Sequence, residues 1–246
     1  MEVAHATHAE VAAQRQPGRV ARTLRSSIGS KTLMAVTGLG LLAFVIVHML
    51  DNLQIFLGQE RYNGFAAFLR STGPLLWILR IGLLALFVLH VGAAVKVWRA
   101  NKEARLEPYV FRASVRTGYA ARTMIVSGMI VFAFVVYHLL HLTFGLTHPE
   151  LFALRDPAGH HDVYSMVVLS FREWPVTVSY IVAQVLLCMH ISHGASSAFQ
   201  TLGITHPRWL WLKQGFGPGV ATFIAAGNIA IPLACWIGIV QPGTGA

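Results

Sequence analysis

Five long apolar runs separated by shorter polar stretches organise this chain, at roughly 32–57, 74–98, 123–146, 175–199 and 219–240. About 20 consecutive apolar residues span the hydrocarbon core of a bilayer as a helix, and each run is long enough. A buried core helix of a soluble protein accounts for one such run, not for five. Periodicity says little where a helix is apolar all round, so the ends are read from punctuation. Pro74 and Pro175 suit a first helical turn, where the missing N–H costs nothing. Gly145 and Pro149 stop the third run, Gly217-Pro218-Gly219 opens the fifth, and Pro242-Gly243 follows it. The expected fold is an all-α membrane protein of five transmembrane helices. Residues 1–30 form an N-terminal arm, 31–240 the membrane domain and 241–246 a short tail. The polar stretch 147–173, with His148, Glu150, Asp156, His160, His161 and Asp162, has room for a short helix.

Composition agrees, with 55% hydrophobic and 12% charged positions and a mean hydropathy of +0.58. Residues 1–30 hold no apolar run of the signal-peptide kind and carry Arg15, Arg19, Arg22 and Arg25, so no secretory signal is expected there. The net charge of +9 at first suggests nucleic acid, but its distribution points elsewhere. Five basic residues lie between Arg15 and Lys31, seven between Lys96 and Arg122, and Arg208 and Lys213 in the fourth loop. The first and third loops hold four basic residues against five acidic ones. That is the positive-inside asymmetry, which places the N-terminus in the cytoplasm and the C-terminus outside. The basic face also suits an acidic partner or anionic lipid. Both cysteines, Cys188 and Cys235, fall in apolar runs. With no CxxCH, a haem here would be b-type and held non-covalently.

The candidate chemistry lies in four histidines deep inside four different runs. His48, His90, His138 and His190 stand 15 or 16 residues beyond Thr32, Pro74, Thr123 and Pro175. Ionisable groups at that depth are expensive and functional by default. Helices I and III run outward and II and IV inward, and each residue advances about 1.5 Å. His48 and His138 therefore share an outer level and His90 and His190 an inner one, roughly 12 Å apart along the normal. Paired neutral imidazoles are suitable axial ligands of a low-spin haem, so the expectation is two bis-histidine b haems in series. A lone intramembrane histidine is as readily a hydrogen bond to a neighbouring helix; four at matched depth in opposed pairs are not. His141 follows His138 by three and His193 follows His190 by three, which puts each on its neighbour's helix face. Depth alone does not choose within either pair. Gly38, Gly40, Gly82, Gly92, Gly128 and Gly194 read as close helix packing.

The stretch Ser27-Ile28-Gly29-Ser30-Lys31…Thr37-Gly38…Val47-His48-Met49…Asn52-Leu53-Gln54-Ile55-Phe56 resembles the first helix of the di-haem cytochrome b membrane-anchor subunit of succinate dehydrogenase/fumarate reductase. His190-Ile191-Ser192-His193-Gly194…Ser197-Ala198-Phe199-Gln200-Thr201-Leu202-Gly203 resembles its fourth, and the likeness runs across about residues 27–240. The resemblance implies one haem ligand from each of the first four helices. Position before the His-x-x-x-Gly glycine selects His190 over His193, and the Ser127-Gly128 start selects His138.

By resemblance the chain is the anchor of a complex II enzyme in a bacterial cytoplasmic membrane and binds no succinate itself. A flavoprotein subunit and an iron–sulfur subunit are its expected partners on the cytoplasmic side, with menaquinone as the electron acceptor. A different respiratory b subunit, a haem-free anchor and a transporter using buried histidines are the competing readings. A glutamate that certain members place two residues before the fourth-helix ligand, to move protons, is here Cys188. Reducing a quinone needs protons, and Asp51, Asn52 and Gln54 near His48, with His141 one turn beyond His138, are the expected quinone-site residues. An inner location near Ser27 or Trp209 is the rival.

Overall fold

A computed structural model describes residues 26–103, 119–204, 206–209 and 211–244. The arginines of the N-terminal arm and Arg105 to Arg116 of the basic second loop lie outside the described residues. Among those described there is helix and no named strand; five helices are long and apolar enough to cross a membrane, and the chain is a multi-pass membrane protein. In chain order the helices are α1 (Ser27–Asn52), α2 (Gln59–Ser71), α3 (Pro74–Glu103), α4 (Tyr119–His138), α5 (Pro149–Phe152), α6 (Val163–Arg172), α7 (Trp174–Thr201) and α8 (Gly217–Trp236). The five long ones are α1, α3, α4, α7 and α8.

Local chemistry explains the ends. Ser26 caps α1 by accepting a hydrogen bond from the Gly29 amide at 3.0 Å, which satisfies one of the four orphan donors of a helix start. The chain leaves α1 through a 3₁₀ turn, Leu53–Leu57, and reverses at Gly58, whose φ of 93° suits glycine. Beyond His138 the fourth helix widens into a π turn over Leu139–Thr143. The last span starts earlier than the sequence suggested, with a π turn at Leu212–Phe216 leading into α8 at Gly217. It also ends earlier, because Trp236 is followed by a turn at Gly238 and the tail folds back over the bundle. The apolar run to Val240 misled, since Val240 is buried by this return rather than by helix.

The long helices pack α1 on α3, α4 on α7, α1 on α7, and α8 on α7. Helix α8 also reaches α1, where fully buried Met49 lies against Gly227; a Cβ there would collide with the methionine sulfur. One end of the bundle is closed by a lid made of α2, α5, α6 and the tail. Helix α6 is its centre, with Met166, Val167, Val168 and Phe171 all buried. Side chains of that size each contribute about 1.5–3 kcal/mol when fully removed from water.

A polar knot fastens the lid. Fully buried Asp162 caps α6 by accepting from the Ser165 amide at 3.0 Å, and also accepts from Asn63 at 2.9 Å and Gln59 at 2.8 Å. Asn63 returns its own oxygen to the Tyr164 amide at 2.9 Å, and the Gly243 amide donates to Ser165 Oγ at 3.0 Å. Burial acts to raise the Asp162 carboxyl, but the bonds from Asn63, Ser165 and Gln59 outweigh it and hold the group below its usual range. The sequence left room for one short helix in 147–173; two form, and α2 in the first loop is unexpected. His160 is exposed, whereas His161 is half-buried against Phe152, ring centroids 4.6 Å apart.

Candidate functional site

The four deep histidines meet in two pairs, each joining helices that lie across the bundle from one another. His48 of α1 and His138 of α4 stand 5.7 Å apart between ring centroids, with planes at 87°. His90 of α3 and His190 of α7 stand 6.4 Å apart, with planes at 73°. The first pair is at the lid end, and the second is level with Thr37 and Gly38, toward the N-terminal end. Ten residues separate Gly38 from His48, so the pairs differ in level by about 15 Å. His193, half-buried, forms no imidazole pair among the described residues.

Each inner-facing ring is oriented by a neighbouring helix. His90 Nδ1 lies 3.1 Å from the Met34 carbonyl oxygen and 3.3 Å from Thr37 Oγ1, both on α1. His190 Nδ1 lies 3.3 Å from Ser127 Oγ on α4. His138 Nδ1 lies 3.3 Å from Tyr180 Oη on α7. In these three rings Nε2 makes no hydrogen bond among the described residues. His48 differs: its Nε2 is 3.2 Å from the Asn52 amide nitrogen, which also donates to the His48 carbonyl at 2.6 Å.

Glycines shape the N-terminal-end pair. A Cβ on Gly38 would stand 3.0 Å from His90 Cε1, and one on Gly128 would stand 3.4 Å from His190 Cε1. Thr37-Gly38 on α1 and Ser127-Gly128 on α4 thus do one job: the hydroxyl meets an imidazole Nδ1 and the glycine clears space for its ring. On both helices the lid-end histidine follows the glycine by ten residues. The bundle therefore repeats a hydroxyl–glycine–histidine pattern in its two halves. The sequence carries this signal in Thr37-Gly38 and Ser127-Gly128, but assigning the glycines no site role left it unread.

An axial ligand pair can be tested against these distances. Two metal–nitrogen bonds of about 2 Å each, plus the ring radii, put facing imidazole centroids roughly 6 Å apart. The two pairs fall on either side of that value, and three of the four present a free Nε2 while Nδ1 is held, as metal-binding histidines do. The residues present fit a bis-histidine haem at His90 and His190, and a second at His48 and His138 once Asn52 turns away from His48 Nε2.

The other residues singled out in the sequence divide between two networks. Asn52 accepts from Tyr62 Oη at 2.8 Å, linking His48 to α2 of the lid. Asp51 is half-buried, and Gln54 Oε1 is buried with no partner. His141 is 2% exposed; its Nδ1 is 2.9 Å from Tyr180 Oη, and its Nε2 has no partner. A buried unpartnered donor or acceptor costs about 1–3 kcal/mol. His141 stacks on Tyr137 at 5.5 Å and neighbours His148 at 5.2 Å, whose Nε2 is 3.4 Å from Glu173. Among the described residues Asp51, Asn52 and Gln54 make no hydrogen bond with His141; Asn52 bonds Tyr62 and His141 bonds Tyr180. Two open surface grooves are lined by other residues: Leu57 with Glu60, Arg61, Phe65 and Phe68 of α2, and Ile55, Gly58, Tyr164 and Gln241 beside the tail. Tyr180 and Tyr62 were missed in the sequence, and Thr37 and Ser127 were read there as motif positions without a contact to an imidazole.

The fold and site define a helical membrane protein with two stacked intramembrane imidazole pairs. Comparison with family models, with curated proteins and with solved structures finds no match.

Proposed function

We propose that this chain is the membrane anchor and electron-transfer subunit of a succinate:quinone oxidoreductase. The observation that supports it most is the pair of imidazole pairs, spaced for axial ligation and about 15 Å apart along the bundle. His90 and His190 would hold one b haem, and His48 and His138 the other. When bound, these groups supply two one-electron carriers in series across the bilayer. The chain's own residues orient the imidazoles, exclude water with α1, α3, α4 and α7, and seal the far end with the lid.

In this reading the N-terminal end faces the cytoplasm of a bacterium. It meets there an iron–sulfur subunit carrying a flavoprotein subunit, to which succinate oxidation belongs. Menaquinone is the acceptor at the lid end, served by groups among Asp51, Asn52, Gln54 and His141. The competing haem-free anchor and buried-histidine transporter both predict a colourless chain.

The test is a reduced-minus-oxidised spectrum with iron analysis of the purified chain, followed by succinate addition to the intact complex. Two b haems per chain, both reducible by succinate, are expected. A chain free of haem overturns the proposal, and haems that succinate cannot reduce assign it to a different respiratory enzyme.

A further inference from the structure

Tyr180 stands between two imidazoles in the membrane interior, its Oη 3.3 Å from His138 Nδ1 and 2.9 Å from His141 Nδ1. The role of this phenol depends on His138 being a haem ligand, as in the proposed function. With Nε2 of His138 on a metal, Nδ1 carries the ring's proton and can only donate. Tyr180 Oη then accepts from His138, which leaves the phenol proton for His141 Nδ1, the shorter contact. His141 must in turn carry its own proton on Nε2, the buried atom with no partner. One arrangement of protons satisfies both contacts of the phenol, and it leaves the His141 Nε2 proton without an acceptor among the described residues.

We propose that Tyr180 and His141 form a positioning dyad for the lid-end haem: they fix the tautomer and orientation of His138 and set the potential of that haem alone. An imidazole whose N–H is drawn toward an acceptor is a more basic ligand. Greater basicity favours the oxidised metal and lowers the potential. His141 reinforces this, because a phenol that donates to an imidazole has a more electron-rich oxygen, and bonds in such a chain polarise one another. The surroundings are apolar and tight: Phe134, Phe171 and Tyr137 lie 5.0, 4.8 and 5.9 Å from the Tyr180 ring. Tyr180 itself is 6% exposed. Among the described residues no phenol bonds the other pair. Its rings meet the Met34 carbonyl, Thr37 and Ser127 instead, so the dyad breaks the likeness between the two halves.

Tyr180→Phe keeps the ring among its aromatic neighbours and removes only Oη. Redox titration of the purified haem-loaded chain, with each haem assigned by its loss in His48→Ala or His90→Ala, reads the effect. The lid-end haem should move to more positive potential, with about a tenfold change in its oxidised-to-reduced ratio at fixed potential, ~59 mV for one electron. The other haem should stay where it was. His141→Gln should give a smaller shift of the same sign, and Ser127→Ala should move only the haem at the N-terminal end. Nitrogen NMR of histidine-labelled protein should place the His141 proton on Nε2. No shift in Tyr180→Phe, equal shifts of both haems, a shift to negative potential, or a His141 proton on Nδ1 would each overturn the dyad. A wild-type chain without haem overturns the proposed function as well, whereas two intact haems unmoved by Tyr180→Phe overturn this inference alone.

Discussion

The absence of a single carbon at position 38 leaves room for an imidazole. Gly38→Val would place side-chain atoms where His90 Cε1 now lies, 3.0 Å from even the first added carbon. If the chain holds two b haems as proposed, the expected result is loss of the N-terminal-end haem with the lid-end haem retained, measured as a halved b-type absorbance and one surviving signal by electron paramagnetic resonance. His190→Ala should remove that same haem, and His193→Ala should leave both, because only His190 faces His90, at 6.4 Å. Haem loss in His193→Ala with retention in His190→Ala would reverse the choice. Depth in an apolar run made His48, His90, His138 and His190 legible in the sequence, since an imidazole there has no cheap alternative. Tyr180, Ser127 and Thr37 carry no such mark. A hydroxyl in a membrane helix can bond its own backbone, as Thr37 does with the Leu33 carbonyl at 2.7 Å, so its cross-helix role depends on a partner from elsewhere in the chain.

Among elements, the lid shows where reading by hydropathy stops. Helix α2 is polar overall and faces inward through Tyr62 and Asn63, whose burial is secured by hydrogen bonds rather than by an apolar stripe. No periodicity announces such a helix. Helix α6 is apolar but only 10 residues long, too short to span a membrane, and its depth became visible only once the lid was assembled. Asp162→Asn would turn an acceptor toward the Asn63, Gln59 and Ser165 donors into a group that also donates. A loss of about 1–3 kcal/mol in lid stability is expected, read as faster amide exchange at Tyr164 and Ser165 with both haems in place. The pH dependence has a definite sign. Because Asp162 is held below its usual range, the knot contributes fully above the ordinary carboxylate value of about 3.9 and is lost only as pH falls through the lower folded value. Protection of these amides, their exchange corrected for its intrinsic pH dependence, should therefore be flat from pH 7 to 5 and fall below the ordinary range. A loss of protection already complete at pH 5 contradicts the assignment.

For the whole molecule, five spans and the two levels of histidines come from counting along the chain, because a helix converts residue number into depth at about 1.5 Å per residue. Where the last span begins and ends could not be counted in this way. Gly217-Pro218-Gly219 suggested a start, yet the helical path begins upstream of it, and the tail's return over the lid is a tertiary event without a local cue. The proposed orientation makes a prediction at this scale. In the intact complex the soluble subunits should cross-link to Lys96 and Lys102 and not to the 147–173 lid. Cross-links confined to the lid would place the partners, and the entry of electrons, at the opposite end.

The knot at Asp162 also has a meaning in time. Asn63 is made 99 residues before the carboxylate that it binds, and Gln59 precedes it by 103. At synthesis rates of about 5–20 residues per second, these amides wait roughly 5–20 s with no partner. During that interval α3 and α4, the second and third spans, are made beneath an unfinished cover, and His138 completes the lid-end pair before Asp162 arrives. A further stitch, from Gly243 to Ser165, joins residues 78 positions apart and so waits until Gly243 is made. A nascent chain arrested before Asp162 should accordingly be cut by protease within α2, and one arrested beyond Gly243 should resist.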